Sequence, residues 1–309
     1  MAGIIVSVNI SKEKGTIKGP VPEIVLNQNG VRDDAHAGPT HRQVSLLASE
    51  SMERFGKEVD RKFVPGEFAE NITTGELCLT QLAVLDRIAV GDVELEVTQI
   101  GKKCHAGHCA IFEAVGSCIM PKEGIFCRVI SGGAIKAGDE IEMKPRPLRI
   151  HVVTVSDRAS LGLYKDLSGP KIVEILNSHF LETPWHTQVN TSIVPDDAES
   201  LEHTLRSALE NDADIIITTG GTGVGPRDIT PEVVSTIVKK TMPGIMENVR
   251  LKFGADKPNA LLSRSIAGVH GETQIYALPG SVRAVQEYMG EILKTMEHLI
   301  LMIHGIDAH

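Results

Sequence analysis

The sequence predicts two domains of different class: a mostly β, barrel-like domain over residues 1–146 and a three-layer α/β/α domain with a mainly parallel sheet over 147–309. Three observations carry this expectation. The 309 residues exceed the roughly 100 to 200 of a single domain, so two hydrophobic cores are expected. The hydrophobic rhythm also differs between the halves: it alternates with period two in the first, and strands alternate with helix-spaced stripes in the second. Between them, Lys144-Pro145-Arg146-Pro147 carries two prolines, which cannot donate to a sheet ladder and so mark a boundary.

In the first half, strands are expected at Gly3 to Ile10, at Val93 to Thr98 and at Ile125 to Ile130. Gly91-Asp92 and Gly138-Asp139 each precede an alternating stretch, and Gly132-Gly133 breaks the strand before the second. One helix is expected around Ser45 to Phe55. In the second half, the largely β-branched strand Ile150 to Val155 suits a sheet covered on both faces. Ile172, Val173, Leu176 and Phe180 have helical spacing after Pro170, and Leu201, Leu205 and Leu209 form another stripe after Pro195-Asp196-Asp197. Strands follow at Asp214 to Thr219 and Gln274 to Leu278, with helices from Pro231 and from Ser281 to Ile303.

With 42% hydrophobic and 23% charged residues, the composition excludes disorder and fibrous architectures. The net charge of -9 opposes polyanions, so neither nucleic acid nor anionic membrane is an expected partner. No apolar run approaches the roughly 20 residues of a membrane helix and no N-terminal stretch has the plan of a signal peptide, so a cytoplasmic protein is expected. All five cysteines (Cys78, Cys104, Cys109, Cys118, Cys127) lie in the first half, and an odd number without an export signal favours thiols over disulfides.

The most informative segment runs from the strand ending at Thr219 through Gly220-Gly221-Thr222-Gly223-Val224-Gly225-Pro226-Arg227-Asp228 into Ile229-Thr230-Pro231-Glu232. Glycines let backbone N–H groups approach phosphate oxygens that side chains would block, and a helix start adds further donors. Ligands of α/β sheets bind where such loops leave the strands. The loop is neither a dinucleotide G-x-G-x-x-G in its usual frame nor a Walker A loop, which ends in Lys-Ser or Lys-Thr. It ends in Arg227-Asp228 instead. A guanidinium clamps phosphate and a carboxylate beside phosphates holds Mg²⁺, a pair suited to nucleotidyl transfer. The plainer reading makes Thr230 a helix N-cap, Pro231 the first helical residue and Asp228 a solvated turn residue. It likewise makes Asp196 the N-cap of the next helix, and Ser156-Asp157 a strand-end turn.

Together with Val155-Ser156-Asp157-Arg158, Val194-Pro195-Asp196-Asp197, Met242-Pro243-Gly244, Leu262-Ser263-Arg264 and Leu278-Pro279-Gly280, this run makes residues 148–304 closely resemble the molybdopterin adenylyltransferase (MogA/MoaB-like) family. The resemblance implies molybdenum cofactor biosynthesis, in which a terminal phosphate of molybdopterin attacks the α-phosphorus of ATP and releases pyrophosphate. It implies Asp196 and Asp228 as catalytic carboxylates, with Asp228 meeting Mg²⁺ through substrate phosphates. Gly220, Gly221, Thr222, Gly223 and Arg227 would hold phosphate, while Ser156, Asp157, Ser263, Gly280 and Ser281 would line the pterin or nucleotide pocket. Two carboxylates beside an anionic substrate require a divalent cation, so metal dependence is expected. The resemblance further implies a homotrimer and dealings with molybdopterin synthase and the machinery that inserts molybdate or tungstate. A non-catalytic carrier or scaffold for pterin or oxyanion is the alternative.

In the first half, Gly101-Lys102-Lys103-Cys104-His105-Ala106-Gly107-His108-Cys109 sets a thiol among positive neighbours, which lower its pKa and favour a nucleophilic or sulfur-carrying thiolate at Cys104. Cys104, His105, His108, Cys109 and Cys118 also exceed the four ligands zinc takes, although no second pair repeats the C-x₄-C spacing. A structural loop cysteine is the third reading. His36 and His41 flank Gly38-Pro39 and, with Arg42, could orient an anion or close a barrel.

Gly30 to His36, His41 to Leu46, Pro65 to Ile72, Val90-Gly91-Asp92 and Gly138-Asp139 make residues 3–143 resemble a MOSC domain. That resemblance implies binding of the cofactor or handling of sulfur, with Cys104 as the matching cysteine.

Overall fold

The computed structural model describes residues 2–102 and 117–306. The chain divides into two compact units, Met1–Arg146 and Pro147–His309.

The first unit contains strands β1 (Ala2–Ile10), β2 (Gly19–Val21), β3 (Ile24–Asn27), β4 (Gly30–Val31), β5 (Val44–Ala48), β6 (Ile72–Gly75), β7 (Arg87–Val90), β8 (Val93–Ile100), β9 (Ile125–Ser131), β10 (Gly133–Ile135) and β11 (Glu140–Lys144). The main sheet runs β11-β7-β8-β9-β5-β6-β1-β2, and β11 also pairs with β1, so seven strands close into a barrel with β2 attached to β1. Closure leaves the seven strands without an open edge. Among the described residues, only β5 and β6 pair in parallel within it. Inward residues such as Ile5, Val44, Leu46, Ile72, Leu95 and Ile141 fill the interior.

The helix expected at Ser45 begins four residues later, as α1 (Ser49–Glu58). Val44–Ala48 is instead a fully buried strand between β6 and β9, with Leu46 in the barrel core and Leu47 packed beneath Met52 and Phe55 of α1. Burial on both faces removes the alternation that would have marked it as a strand. A short helix, α2 (Met120–Glu123), precedes β9.

The second unit carries β12 (Leu148–Val155), β13 (Thr187–Val194), β14 (Ile215–Thr219), β15 (Lys240–Thr241), β16 (Ile266–His270) and β17 (Thr273–Leu278) in the order β13-β12-β14-β17-β16-β15. The first four run parallel, and β16 and β15 continue the sheet antiparallel. Its helices are α3 (Asp157–Ser160), α4 (Ser168–Phe180), α5 (Ala198–Glu210), α6 (Thr230–Ile237), α7 (Pro243–Gly254) and α8 (Val282–Ile303). On one face, Val153, Ile216 and Ile275 meet Leu201 and Leu205 of α5 and Val234 and Ile237 of α6. On the other, α4 packs on β12 and α8 on β17, and Gln274 Nε2 donates to the Met296 carbonyl of α8 at 3.1 Å.

The spacing of Ile172, Leu176 and Phe180, and of Val285, Met289, Ile292, Met296 and Ile300, gives α4 and α8 the apolar stripes that seal this face. No helix among the described residues is long and apolar enough to cross a membrane. The chain leaves β12 toward β13 on one side and returns across it to β14 on the other. The carboxyl ends of β12 and β14 thus form a topological switch point, where α/β sheets open a crevice for ligands.

Candidate active site at the carboxyl ends of the parallel strands

The glycine loop leaves buried β14 at this switch point. Gly220 has φ +107° and Gly221 φ +61°, values that side chains disfavour. A Cβ on Gly220 would lie 2.3 Å from the Val155 carbonyl oxygen, and one on Gly221 2.6 Å from Thr230 Oγ1. The loop is pinned to the end of the neighbouring strand β17: the Gly220 amide donates to Leu278 O at 2.9 Å and Thr219 Oγ1 to Pro279 O at 3.0 Å. Thr230 does not cap the helix, as the plainer reading had it. It is the first residue of α6, behind Ile229, and its hydroxyl donates back to Gly220 O at 2.8 Å. A buried loop carbonyl needed that donor more than the helix end needed an acceptor.

The carboxylates approach this loop from two sides. Asp228 is not simply solvated, because its Oδ2 accepts the Gly225 amide at 2.7 Å and would lie 2.7 Å from a Cβ on Gly223. Asp196 follows β13, and its Oδ1 would lie 3.7 Å from a Cβ on Gly221. The N-cap of α5 is Asp197 rather than Asp196, accepting the Ser200 amide at 2.9 Å. Asp196 is thereby turned to the loop after β12, where its Oδ2 accepts the Asp157 amide at 2.9 Å. Arg227 is ion-paired with Asp157. The Asp196 amide, and then the Arg227 guanidinium, hold the Asp157 carboxyl below the usual carboxylate range. Ser156 caps α3, accepting the Ala159 amide at 3.3 Å.

A cleft of about 720 Å³ opens beside the loop, walled by Ser156, Arg158, Tyr164, Asp166, Gly220, Gly280 and Ser281 among others. Gly280 is tied to this wall by close packing, since its Cβ would lie 3.2 Å from Gly220 Cα. Ser281 caps α8 and borders both this cleft and a second groove of about 260 Å³, where Ser263 lies with Lys257 and Arg283. The structure therefore joins Ser156, Asp157, Asp196, Arg227 and the loop through Asp228. It sets Gly280 and Ser281 across the cleft and places Ser263 in the adjoining groove. Thr222 is buried within the loop.

Two residues were given no role by the sequence reading. Asp166 accepts Thr154 Oγ1 at 2.6 Å and the Ser168 and Gly169 amides at 2.9 and 3.1 Å, fixing the cleft wall to the start of α4. Its place two residues ahead of Ser168-Gly169-Pro170 was the available signal for a capping role. The other is Arg264, whose guanidinium bonds into the glycine loop.

Among the described residues, no group of three or more His, Cys, Asp or Glu is placed to hold a metal by itself. Asp196 Oδ1 and Asp228 Oδ1 take no hydrogen bond from the described residues. Hard, unoccupied oxygens of this kind suit Mg²⁺, which usually takes one or two carboxylates and completes its shell with phosphate and water.

In the first unit, a pocket of about 280 Å³ is lined by Lys14, His36, Arg42, Ser45, Asn71 and Lys102 among others. Behind it, Lys18 is buried in an ion pair with Asp34, whose Oδ1 accepts the His36 amide at 2.9 Å. Burial lowers the Lys18 pKa, against the opposing pull of Asp34. His41 does not line the pocket, and its carbonyl accepts Thr98 Oγ1 at 2.6 Å. Cys104, His105, His108 and Cys109 lie outside the described residues. Cys78 is an exposed thiol, and Cys127 is a buried one whose pKa burial pushes up.

Residues 151–298 match the family model described as a probable molybdopterin binding domain, and residues 33–142 match the MOSC domain. Over 159 residues, 51% of this chain, the sequence is 35% identical to the molybdopterin adenylyltransferase of Helicobacter pylori strain J99 and covers 89% of it. The chain belongs to the molybdopterin adenylyltransferase family. Gephyrin of Dictyostelium discoideum is 37% identical over 162 residues, a match to 50% of this chain and only 22% of gephyrin. A solved structure of MogA is 33% identical and covers 50% of this chain and 99% of that chain, with a TM-score of 0.47. Membership in the adenylyltransferase family places the chain among nucleotidyltransferases of molybdenum cofactor biosynthesis. The molybdopterin-binding match falls in the α/β unit and the MOSC match in the barrel unit.

Proposed function

We propose that the α/β unit adenylylates molybdopterin with ATP in the presence of Mg²⁺, using Asp196 and Asp228 as its catalytic carboxylates. The observation that carries this reading is the placement of both carboxylates along one glycine loop, Asp196 at Gly221 and Asp228 at Gly223, at the sheet's switch point. A terminal phosphate oxygen of molybdopterin attacks the α-phosphorus of ATP. The new P–O bond forms as the bond to the bridging oxygen breaks, and pyrophosphate leaves with the electron pair. Charge builds on the phosphoryl oxygens, and loop N–H groups with fixed directions stabilise it without reorganising. Mg²⁺ held between these carboxylates and the substrate phosphates would supply the remaining positive charge. Asp157 holds Asp196 in orientation and keeps Arg227 at the rim of the loop to clamp phosphate.

Ser156, Gly280 and Ser281 would line the substrate cleft, with Ser263 in the adjoining groove. A steady-state assay of pyrophosphate release tests the reading: release should require molybdopterin, ATP and Mg²⁺ together. Release independent of molybdopterin would refute it.

For the barrel unit, the cationic rim of Lys14, Arg42 and Lys102 supports binding of an anionic cofactor, with sulfur carried on Cys104 as the finer proposal. A persulfide seen by mass spectrometry in the wild type and lost in Cys104→Ala would support sulfur transfer, and its absence from the wild type would end that idea. Family resemblance also supports a cytoplasmic homotrimer exchanging intermediates with molybdopterin synthase and a molybdate- or tungstate-inserting enzyme. A solution mass measurement tests the trimer.

A further inference from the structure

Arg264 lies between the groove holding Ser263 and the start of β16, and it reaches into the glycine loop at several points. Its backbone amide donates to Thr222 O at 3.0 Å, its Nε to Gly223 O at 2.7 Å and a terminal nitrogen to Asp228 O at 2.9 Å. The other terminal nitrogen pairs with Glu232 in the first turn of α6. The arginine is itself braced, because Arg250 of α7 donates to the carbonyls on either side of it, Ser263 O and Ser265 O, at 3.4 Å each.

These contacts set the direction of the loop's amides. In a planar trans peptide the C=O and the following N–H point opposite ways. Carbonyls of Thr222, Gly223 and Asp228 that face Arg264 therefore turn the N–H groups of Gly223, Val224 and Ile229 away from it. None of those three amides donates to an acceptor among the described residues. A loop with glycine at 220, 221, 223 and 225 has little intrinsic reason to keep its peptide planes aligned, so an external clamp decides how well its donors are organised.

We propose that Arg264 is a positioning residue for adenylyl transfer, locking the peptide planes at 222–223 and 228 so that free loop amides and the Asp228 carboxylate stand ready for the transferring phosphate. The proposal rests on the adenylyltransferase reading of this site. Only an arginine meets the geometry: its planar fork serves two carbonyls and a carboxylate at once, whereas a lysine ammonium is a single point at the end of a flexible stem.

The test uses the full chain with Arg264→Ala, Arg264→Lys and Glu232→Gln, measuring kcat and KM for each substrate by pyrophosphate release and amide hydrogen exchange over residues 222–229. Arg264→Ala should lower kcat about 100-fold, the scale of a misplaced reacting group, while KM for ATP changes far less. Arg264→Lys should recover little of that loss, and Glu232→Gln should cost no more than about threefold because the lost pair is exposed. Exchange of the hydrogen-bonded Gly225 and Asp228 amides should accelerate in both arginine variants while the rest of the unit stays protected. Near-normal kcat in Arg264→Lys, or unchanged exchange in the loop, would overturn the proposal. If Arg264→Ala fails to fold, Arg264→Lys still decides it. If the wild type makes no adenylylated product, the functional reading fails, yet loop exchange still reports whether the clamp exists.

Discussion

The backbone amide of Asp157 donates to the Asp196 carboxylate at 2.9 Å, and the amide of Asp196 donates back to the Asp157 carboxylate at 3.0 Å. This reciprocal pair ties the loop after β12 to the loop after β13 and divides the labour between two neighbouring acids. Asp157 is occupied by Arg227 and an amide, whereas Asp196 keeps Oδ1 toward the glycine loop. Asp196→Asn retains an oxygen for the Asp157 amide, so the thermal midpoint should hold while kcat falls about 100-fold or more. An equal loss in Asp157→Asn, with Asp196→Asn nearly normal, would reverse the assignment.

Asp228→Asn separates charge from shape in the same way. The asparagine oxygen can still accept the Gly225 amide, so the loop should keep its turn. Turnover should drop about 100- to 1000-fold through loss of transition-state stabilisation. Normal pyrophosphate release by this variant would remove Asp228 from the catalytic set.

Gly220→Ala should be costly in both fold and function. The new methyl group would meet the Val155 carbonyl at 2.3 Å on a backbone at φ +107°. Strain and overpacking together should destabilise the α/β unit by about 2 to 4 kcal/mol. Denaturant unfolding measures this, and a midpoint equal to the wild type would show that the loop relaxes freely.

The barrel unit has its own pH signature. Glu70 is fully buried, and its Oε1 takes the Gly66 amide at 2.5 Å and Thr73 Oγ1 at 2.8 Å. Burial raises its pKa above the ordinary 4.5, against those hydrogen bonds. A raised folded-state pKa gives stability that is fully present below 4.5 and is lost as pH rises through the higher folded value. Glu70→Gln should therefore gain in thermal midpoint relative to the wild type as pH increases above 4.5, with the gain shrinking toward more acidic pH. A difference that does not change with pH would contradict the raised pKa.

What was legible in the sequence follows from how local each signal was. The glycine turn at the end of β14 could be read directly, because the strand, the glycines and the following helix are contiguous. Ser45 to Ala48, within the strand Val44–Ala48, was misread as the start of the helix because this strand is covered on both faces and carries no alternation. The plainer reading gave Thr230 and Asp196 each a cap by position alone. In the fold, the nearby Gly220 carbonyl claims the threonine, and the next residue, Asp197, takes the cap. Arg264 was invisible as a partner of the loop because Gly223 and Asp228 are 41 and 36 residues away in the chain. The thiol chemistry expected of Cys104 was read from its neighbours, and the residue lies outside the described structure.

The most direct measurement incubates the full chain with molybdopterin, ATP and Mg²⁺ and identifies the pterin product by mass spectrometry, with Asp196→Asn and Asp228→Asn alongside. Adenylylated molybdopterin formed by the wild type and lost in both variants is the expected result. Molybdopterin that binds and is recovered unmodified in the presence of all reactants would contradict it.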